Sequence, residues 1–271
     1  NIIKLIMFIT KFIGGNSIFQ VKNIKLPYGK IYDYVKESDS RDHIINHQLN
    51  ILALKETHNS IHAIKLSGLH NINLEKYLDE YNSIAINNNH KILIDAENVK
   101  NQDMINEYSN YCIKNYTNTF YKTYQMYRND SYKLLENDLL NYKNGNKNSN
   151  NHFGIKLVRG AYHNEDKNTG LLYLKKEDTD RDYNKAIDLL SNYNNDVIIA
   201  THNTISCEIA LNYKKKFKYA QLLGMNDKLS NYLLKNSNEV YKYIPYGKWV
   251  DTIPYLTRRL YENYDILRYI L

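Results

Sequence analysis

The chain has 271 residues and a mass of 32.1 kDa, with 36 Lys+Arg against 29 Asp+Glu for a formal net charge of +7. With 43% hydrophobic residues and 3 Pro it is neither a disordered tail nor a collagen-like repeat, and its length suits one large α/β domain or two small ones. The 27 Tyr against 6 Phe, among many Lys, Asn and Ile, fit AT-rich codon usage, while nucleic-acid binding through phosphate contacts and base stacking is the competing reading.

Residues 2–13 are apolar but contain Lys4 and Lys11, and they fall short of the ~20 residues of a membrane span. A packing or membrane-surface helix is expected there, inside an N-terminal arm covering residues 1–30. From residue 31 to 271 short apolar runs alternate with helical stretches such as 182–193 and 207–217. Strands are expected at 31–35, 61–66, 91–94, 119–124, 154–158, 197–200, 219–223 and 240–244. Repeated β-then-α units imply a parallel sheet with right-handed crossovers, and eight of them predict a (β/α)8 TIM-type barrel. An open doubly wound sheet is the alternative, weakened by the lack of G-x-G-x-x-G after the first strand. The polar stretch 141–151 (NYKNGNKNSNN) reads as a surface insertion before the fifth strand. Cys112 and Cys207 have no CxxC or metal spacing and are expected to be reduced packing thiols.

Barrels of this kind keep their chemistry at the C-terminal strand ends, so the polar residues there carry the argument. Lys65 sits in an apolar run, where an ammonium needs a partner, and Asp95 at the end of the next strand is the expected counter-ion. The fifth strand supplies Lys156 and Arg159, then Gly160 and Tyr162, a set suited to an anionic ligand or a flavin; a phosphate-only site is the rival. His202 ends the sixth strand, and no second His or carboxylate shows ligand spacing with it, so no metal is expected. In the last helix Tyr255, Arg258, Arg259 and Glu262 stand at i, i+3, i+4 and i+7 and share one face. Asp251 or Thr252 is expected to cap that helix, with Pro254 in its first turn. Two adjacent guanidinia suit bidentate grip on a carboxylate; a solvated stripe with an Arg–Glu pair is the bland alternative.

Seven segments in order, IKLSGL (64–69), DAE (95–97), TYQMY (123–127), KLVRGAY (156–162), ATHN (200–203), QLLGM (221–225) and YIPYG with YLTRRLYEN (243–263), resemble the proline dehydrogenase family. The likeness spans about residues 31 to 265, and the TYQMY and KLVRGAY wording is similar to the eukaryotic, especially fungal, mitochondrial branch. The resemblance implies a distorted (β/α)8 barrel that binds FAD and oxidises L-proline to Δ1-pyrroline-5-carboxylate, with hydride passing to flavin N5 and electrons on to a quinone at the mitochondrial inner membrane. It implies that Arg258, Arg259 and Lys65 hold the substrate carboxylate and that Glu37 pairs with Arg258. It further implies that Tyr243 and Tyr255 pack round the proline ring and that Asp95 is the acid beside Lys65. Lys156, Gln125, Val158, Thr201 and His202 match flavin-contacting positions, and Glu262 matches a carboxylate near the cofactor's adenosine part. Lys122 departs from the family's usual Gln or Asn, which puts one flavin contact in doubt. A hydroxyproline dehydrogenase shares these motifs, although Tyr243 would crowd a 4-hydroxyl. The other alternative is a non-catalytic barrel or a basic nucleic-acid binder, against which stands the lack of any Lys/Arg run longer than 214–216.

Overall fold

The runs KILI, GIKLV and VIIA are short and apolar apart from Lys91 and Lys156, as expected of parallel strands covered on both sides. The computed structural model describes residues 10–37, 42–69, 74–145, 153–237 and 239–262, with backbone alone for residues 10, 143–145, 258 and 260–262. In it these runs belong to a closed parallel barrel of eight strands. The strands are β1 (Gly29–Tyr34), β2 (Ile61–Ile64), β3 (Lys91–Ile94), β4 (Phe120–Gln125), β5 (Gly154–Val158), β6 (Val197–Ala200), β7 (Lys218–Leu222) and β8 (Val240–Tyr246). Each pairs with the next, and β8 returns to β1, where Tyr32 registers with Ile244. Every expected strand falls on one of these.

Alternation along the strands sorts the core. Ile31, Ile61, Ala63, Leu93, Tyr121, Ile198 and Ala220 point inward and fill the barrel. Their neighbours Ile64, Ile92, Phe120, Ile155 and Ile199 point outward under the flanking helices. The N-terminal end is closed by rings. A Cβ on Gly154 would lie 2.3 Å from the Tyr121 ring, so glycine is needed there. The Tyr121 hydroxyl donates to Asp196, which Lys218 bridges at 2.6 Å. Cys112 and Cys207 are free and buried in the outer layers, as expected.

The last helix, Trp249–Glu262, is the exception to the flanking pattern. It crosses the barrel mouth, with Tyr255 reaching Asp33 of β1 and Arg259 lying 5.5 Å over Tyr162 beyond β5. The N-terminal arm takes the flank this helix leaves. Ile18 and Val21 of the short helix Ile18–Val21 pack on Tyr32, Ala53 and Ile244. Phe12 and Ile13 pack with Val35, Met225, Tyr255 and Leu256. Backbone bonds fix the contact: Gly14 N–H donates to the Pro245 carbonyl at 2.8 Å and Gly247 N–H to the Gly15 carbonyl at 3.1 Å. No helix among the described residues is long and apolar enough to cross a membrane.

Three local expectations differ from what is observed. The closing helix starts at Trp249, ahead of the expected cap, because the Lys248 carbonyl accepts from both Asp251 N–H (2.9 Å) and Thr252 N–H (3.0 Å). Thr252 turns its hydroxyl back on that carbonyl, and Asp251 pairs with Lys36 at 2.9 Å. The helix expected at 207–217 is Thr204–Leu211, started early by the Asn203 side chain, which accepts from Ser206 N–H at 3.0 Å. Of the stretch 141–151, residues 141–145 continue the helix Ser131–Gly145, and the remainder lies outside the described residues.

Candidate active site

The strand ends deliver charge to the barrel mouth in a connected set. Lys65, one residue past β2, donates to Asp33 of β1 and stands 3.4 Å from Asp95. Asp95, one residue past β3, accepts from Lys156 of β5 at 2.6 Å. The Tyr255 hydroxyl donates to the second Asp33 oxygen at 2.6 Å. Aromatic faces complete the neutralisation: Lys65 lies 5.3 Å from the Tyr255 ring, Lys156 4.7 Å from Tyr243 and Arg259 5.0 Å from Tyr255. Burial alone would lower the Lys65 ammonium, but Asp33 and Asp95 hold it well above its usual range. Burial pushes Asp95 up, yet Lys156 and Lys65 outweigh it and keep the carboxyl below its ordinary value. Lys156, with one close carboxylate, is held below the usual lysine value by burial. Lys65, Lys156 and Arg259 thus stand among Asp33 and Asp95, with Glu37 at the rim, so the mouth is lined by buried charge of both signs.

Above this set lies a pocket enclosing about 810 Å³, part of it open to solvent. Asp95, Gln125, Lys156, Val158, Thr201, His202, Tyr243, Tyr255 and Arg259 all line it. Three buried polar atoms on this wall have no partner among the described residues: Gln125 Oε1, His202 Nδ1 and Tyr243 Oη. Gln125 is held by its amide, which donates to the Glu97 carbonyl at 3.1 Å. His202 Nε2 accepts from Leu222 N–H at 3.2 Å, and burial, then the Lys242 charge, pulls this imidazole down to about 3. It is therefore neutral, with its proton on Nδ1. Burial, then Asp95, drives the Tyr243 phenol well above its usual value, so Tyr243 Oη carries its proton. Arg159 is fully committed: Nε to Asp180 (2.7 Å), Nη1 to Thr201 Oγ1 (2.6 Å), Nη2 to Ser206 Oγ (2.9 Å), with the plane 4.2 Å from the Tyr183 ring. It ties β5 to the turn after β6 and so sets the rim.

The structure thus brings together most of the residues singled out from the sequence. Lys65 lies beneath the pocket rather than on its wall, and the Tyr162 hydroxyl donates to Glu37 at 3.0 Å at the rim. The side chains of Arg258 and Glu262 lie outside the described residues. Lys122 points out of the barrel, where it bonds Asn110 and Asp138, each at 2.7 Å. As an outward residue of β4 it bears on no pocket contact, so the doubt raised by its identity disappears. Two carboxylates were missed. Asp33 is 0% exposed and stands alone in GKIYDY, the same signal that singled out Lys65. Glu97 accepts from Ser67 N–H at 3.1 Å and from the Ser67 hydroxyl, joining the loops after β2 and β3.

A closed parallel barrel with buried charge and aromatic rings at its C-terminal strand ends has its candidate site where (β/α)8 barrels keep theirs. The family model for proline dehydrogenase matches residues 21–268, and the chain belongs to that family. Proline dehydrogenase 1, mitochondrial, of Caenorhabditis elegans is 29% identical over 210 residues, covering 68% of this chain and 33% of that protein. Hydroxyproline dehydrogenase of Rattus norvegicus is 32% identical over 169 residues, 55% of this chain and 36% of that protein. These relatives are eukaryotic, in keeping with the branch the motif wording indicates. Proline utilization A of Bdellovibrio bacteriovorus superposes with a TM-score of 0.85 at 16% identity, over 97% of this chain and 33% of that one, a likeness of fold. The chain spans about a third of the length of these relatives.

Proposed function

We propose that this chain carries the oxidation of L-proline to Δ1-pyrroline-5-carboxylate with FAD as the bound cofactor. The observation that carries the reading is the buried set of Asp33, Lys65, Asp95 and Lys156 at the mouth, walled by Tyr243 and Tyr255, in a barrel of this family. The pocket residues suit a flavin. Gln125 Oε1 offers an acceptor, His202 Nδ1 a donor and Tyr243 Oη either, all three buried on residues that line one pocket. Such a set matches a planar heterocycle whose rim alternates N–H and carbonyl groups. Gln125, Lys156, Val158, Thr201 and His202 would hold FAD, which supplies the two-electron acceptor when bound.

The chain's own part is binding, orientation and charge. Arg259, together with Arg258, takes the substrate carboxylate, and Lys65 adds positive potential from beneath while fixing Tyr255 through Asp33. Each charge-assisted hydrogen bond contributes about 1.5–3 kcal/mol. Tyr243 and Tyr255 pack the apolar ring and exclude water. Lys65 and Lys156 oppose a further positive charge beside them and so favour loss of the proton on the substrate nitrogen; hydride departs more readily from the neutral amine. Glu37 and Glu262 support the arginine face. Electrons pass on to a quinone at the inner membrane; the names of the nematode and similar relatives support the mitochondrial setting.

The test is an anaerobic titration of the purified, FAD-loaded protein with proline. The flavin absorbance is expected to bleach; a colourless preparation that FAD cannot reconstitute refutes the proposal. The likeness to hydroxyproline dehydrogenases supports a second reading. Faster reduction of a quinone analogue with trans-4-hydroxyproline than with proline would establish it.

A further inference from the structure

His202 offers the pocket a donor only because its other nitrogen is occupied. Strand β6 ends at Ala200 in register with Ala220, while β7 runs on to Leu222. The Leu222 N–H has outrun its neighbouring strand, and His202 Nε2 accepts from it at 3.2 Å in place of a ladder carbonyl. A backbone N–H can only donate, so Nε2 is bare and the proton of the neutral ring is on Nδ1. This arrangement lasts only as long as the Leu222 peptide stays put: on the β8 side Leu223 N–H donates to the Tyr243 carbonyl at 2.9 Å, and beyond it the backbone leaves the ladder for a turn through Gly224.

Lys242 holds that turn. It points outward from β8, is 1% exposed, and its ammonium donates to the Met225 carbonyl at 2.9 Å and to the Leu222 carbonyl at 3.5 Å, with Asp227 at 2.8 Å. A buried cation here is expensive unless it does something a Met would not. We propose that Lys242 is a positioning residue: by clamping the Leu222–Met225 turn it keeps the Leu222 N–H on His202 Nε2 and so locks His202 as the Nδ1–H tautomer, a fixed donor to the pocket. The cation also lies on the side from which it disfavours a second proton on the ring. The use of that donor by a flavin rests on the function proposed above, but the clamp itself does not.

The test is ¹⁵N NMR of imidazole-labelled protein without added cofactor, with the His202 signals assigned by their loss in His202→Gln. In the unmodified protein Nδ1 is expected to be pyrrole-like and Nε2 pyridine-like, with a coupling across the hydrogen bond to the Leu222 amide nitrogen. Lys242→Met is expected to keep the melting behaviour of a folded barrel yet move both nitrogens toward averaged, mixed-tautomer values. Asp227→Asn, which leaves the ammonium on its carbonyls, is expected to change neither. An Nε2–H tautomer in the unmodified protein, the absence of the Leu222 coupling, or an unchanged tautomer in Lys242→Met overturns the proposal. Should Lys242→Met not fold, the first two observations still decide it. With FAD added, Lys242→Met is expected to bind about tenfold more weakly, the equivalent of one neutral hydrogen bond. If the clamp behaves as described but His202 Nδ1 does not respond to FAD, the flavin assignment fails and the clamp stands.

Discussion

Replacing Lys65 with Met removes the cation between Asp33 and Asp95 while keeping most of the side-chain volume. Asp95 retains Lys156 at 2.6 Å, but Asp33, 0% exposed, is left with the Tyr255 hydroxyl alone among its described partners. Breaking a buried pair by removing one partner typically costs about 3–5 kcal/mol, because the remaining charge has no compensation. For a chain of this size that corresponds to a fall in Tm of roughly 6–20 °C. Scanning calorimetry on Lys65→Met, on Asp33→Asn and on the double variant gives the comparison. Asp33→Asn is expected to cost less, since Lys65 keeps Asp95 at 3.4 Å. The double variant is expected to recover part of the Lys65→Met loss, because no orphaned carboxylate remains. A Tm for Lys65→Met within about 2 °C of the unmodified chain, or strictly additive losses in the double variant, refutes the reasoning.

Three further outcomes are expected. Gly160 has φ 137°, and a Cβ there would lie 2.3 Å from the Tyr127 ring, whose hydroxyl is pinned to Asp166 at 2.9 Å; Gly160→Ala should therefore cost about 2 kcal/mol or more, and urea melts showing an unchanged midpoint would contradict it. Burial, partly opposed by Ser67, pushes the Glu97 carboxyl from 4.5 up to about 7, so the folded chain keeps a proton that the unfolded chain has released. Its contribution is full below about 4.5 and is lost as pH rises through 7; Glu97→Gln should flatten that slope and gain up to roughly 3 kcal/mol at pH 8, measured by denaturant melts across pH 4 to 8. Phe12→Ala empties a buried site against Tyr255 and Leu256 and should lower stability by about 3–5 kcal/mol, whereas a loss under 1 kcal/mol would mean the arm is not part of the core.

The strands were legible because they are buried on both faces, so KILI, GIKLV and VIIA are short, β-branched-rich runs separated by longer amphipathic stretches. Lys65, Asp95 and Lys156 were legible because charge within an apolar run demands a partner. Their pairing was not: the expected Lys65–Asp95 contact is the longer one, and the short contacts go to Asp33 and Lys156, since spatial order round a barrel follows strand neighbours and tilt, which spacing does not encode. Lys122 misled because a strand residue's identity does not tell which face it occupies; the alternation Tyr121-in, Lys122-out does. The arm was unreadable for a different reason. Phe12, Ile13, Ile18 and Val21 have no regular period, because they pack against two places at once, the mouth and the outer face of β8.

That double attachment has a consequence for how the chain reaches this shape. Phe12 to Val21 pack in part on Tyr32, Val35 and Ala53, but their other partners, Ile244, Tyr246, Tyr255 and Leu256, lie more than two hundred residues later. Without those, part of the arm's apolar surface is unburied and β1 has one free edge. Contacts of such large sequence separation pay their loop-closure entropy before any return, and they slow folding accordingly. The β1 edge stays open until β8 pairs with it, and the segment that closes it also carries Tyr255 and Arg259 to the mouth. Assembly of the pocket and completion of the fold are, for this chain, a single late event.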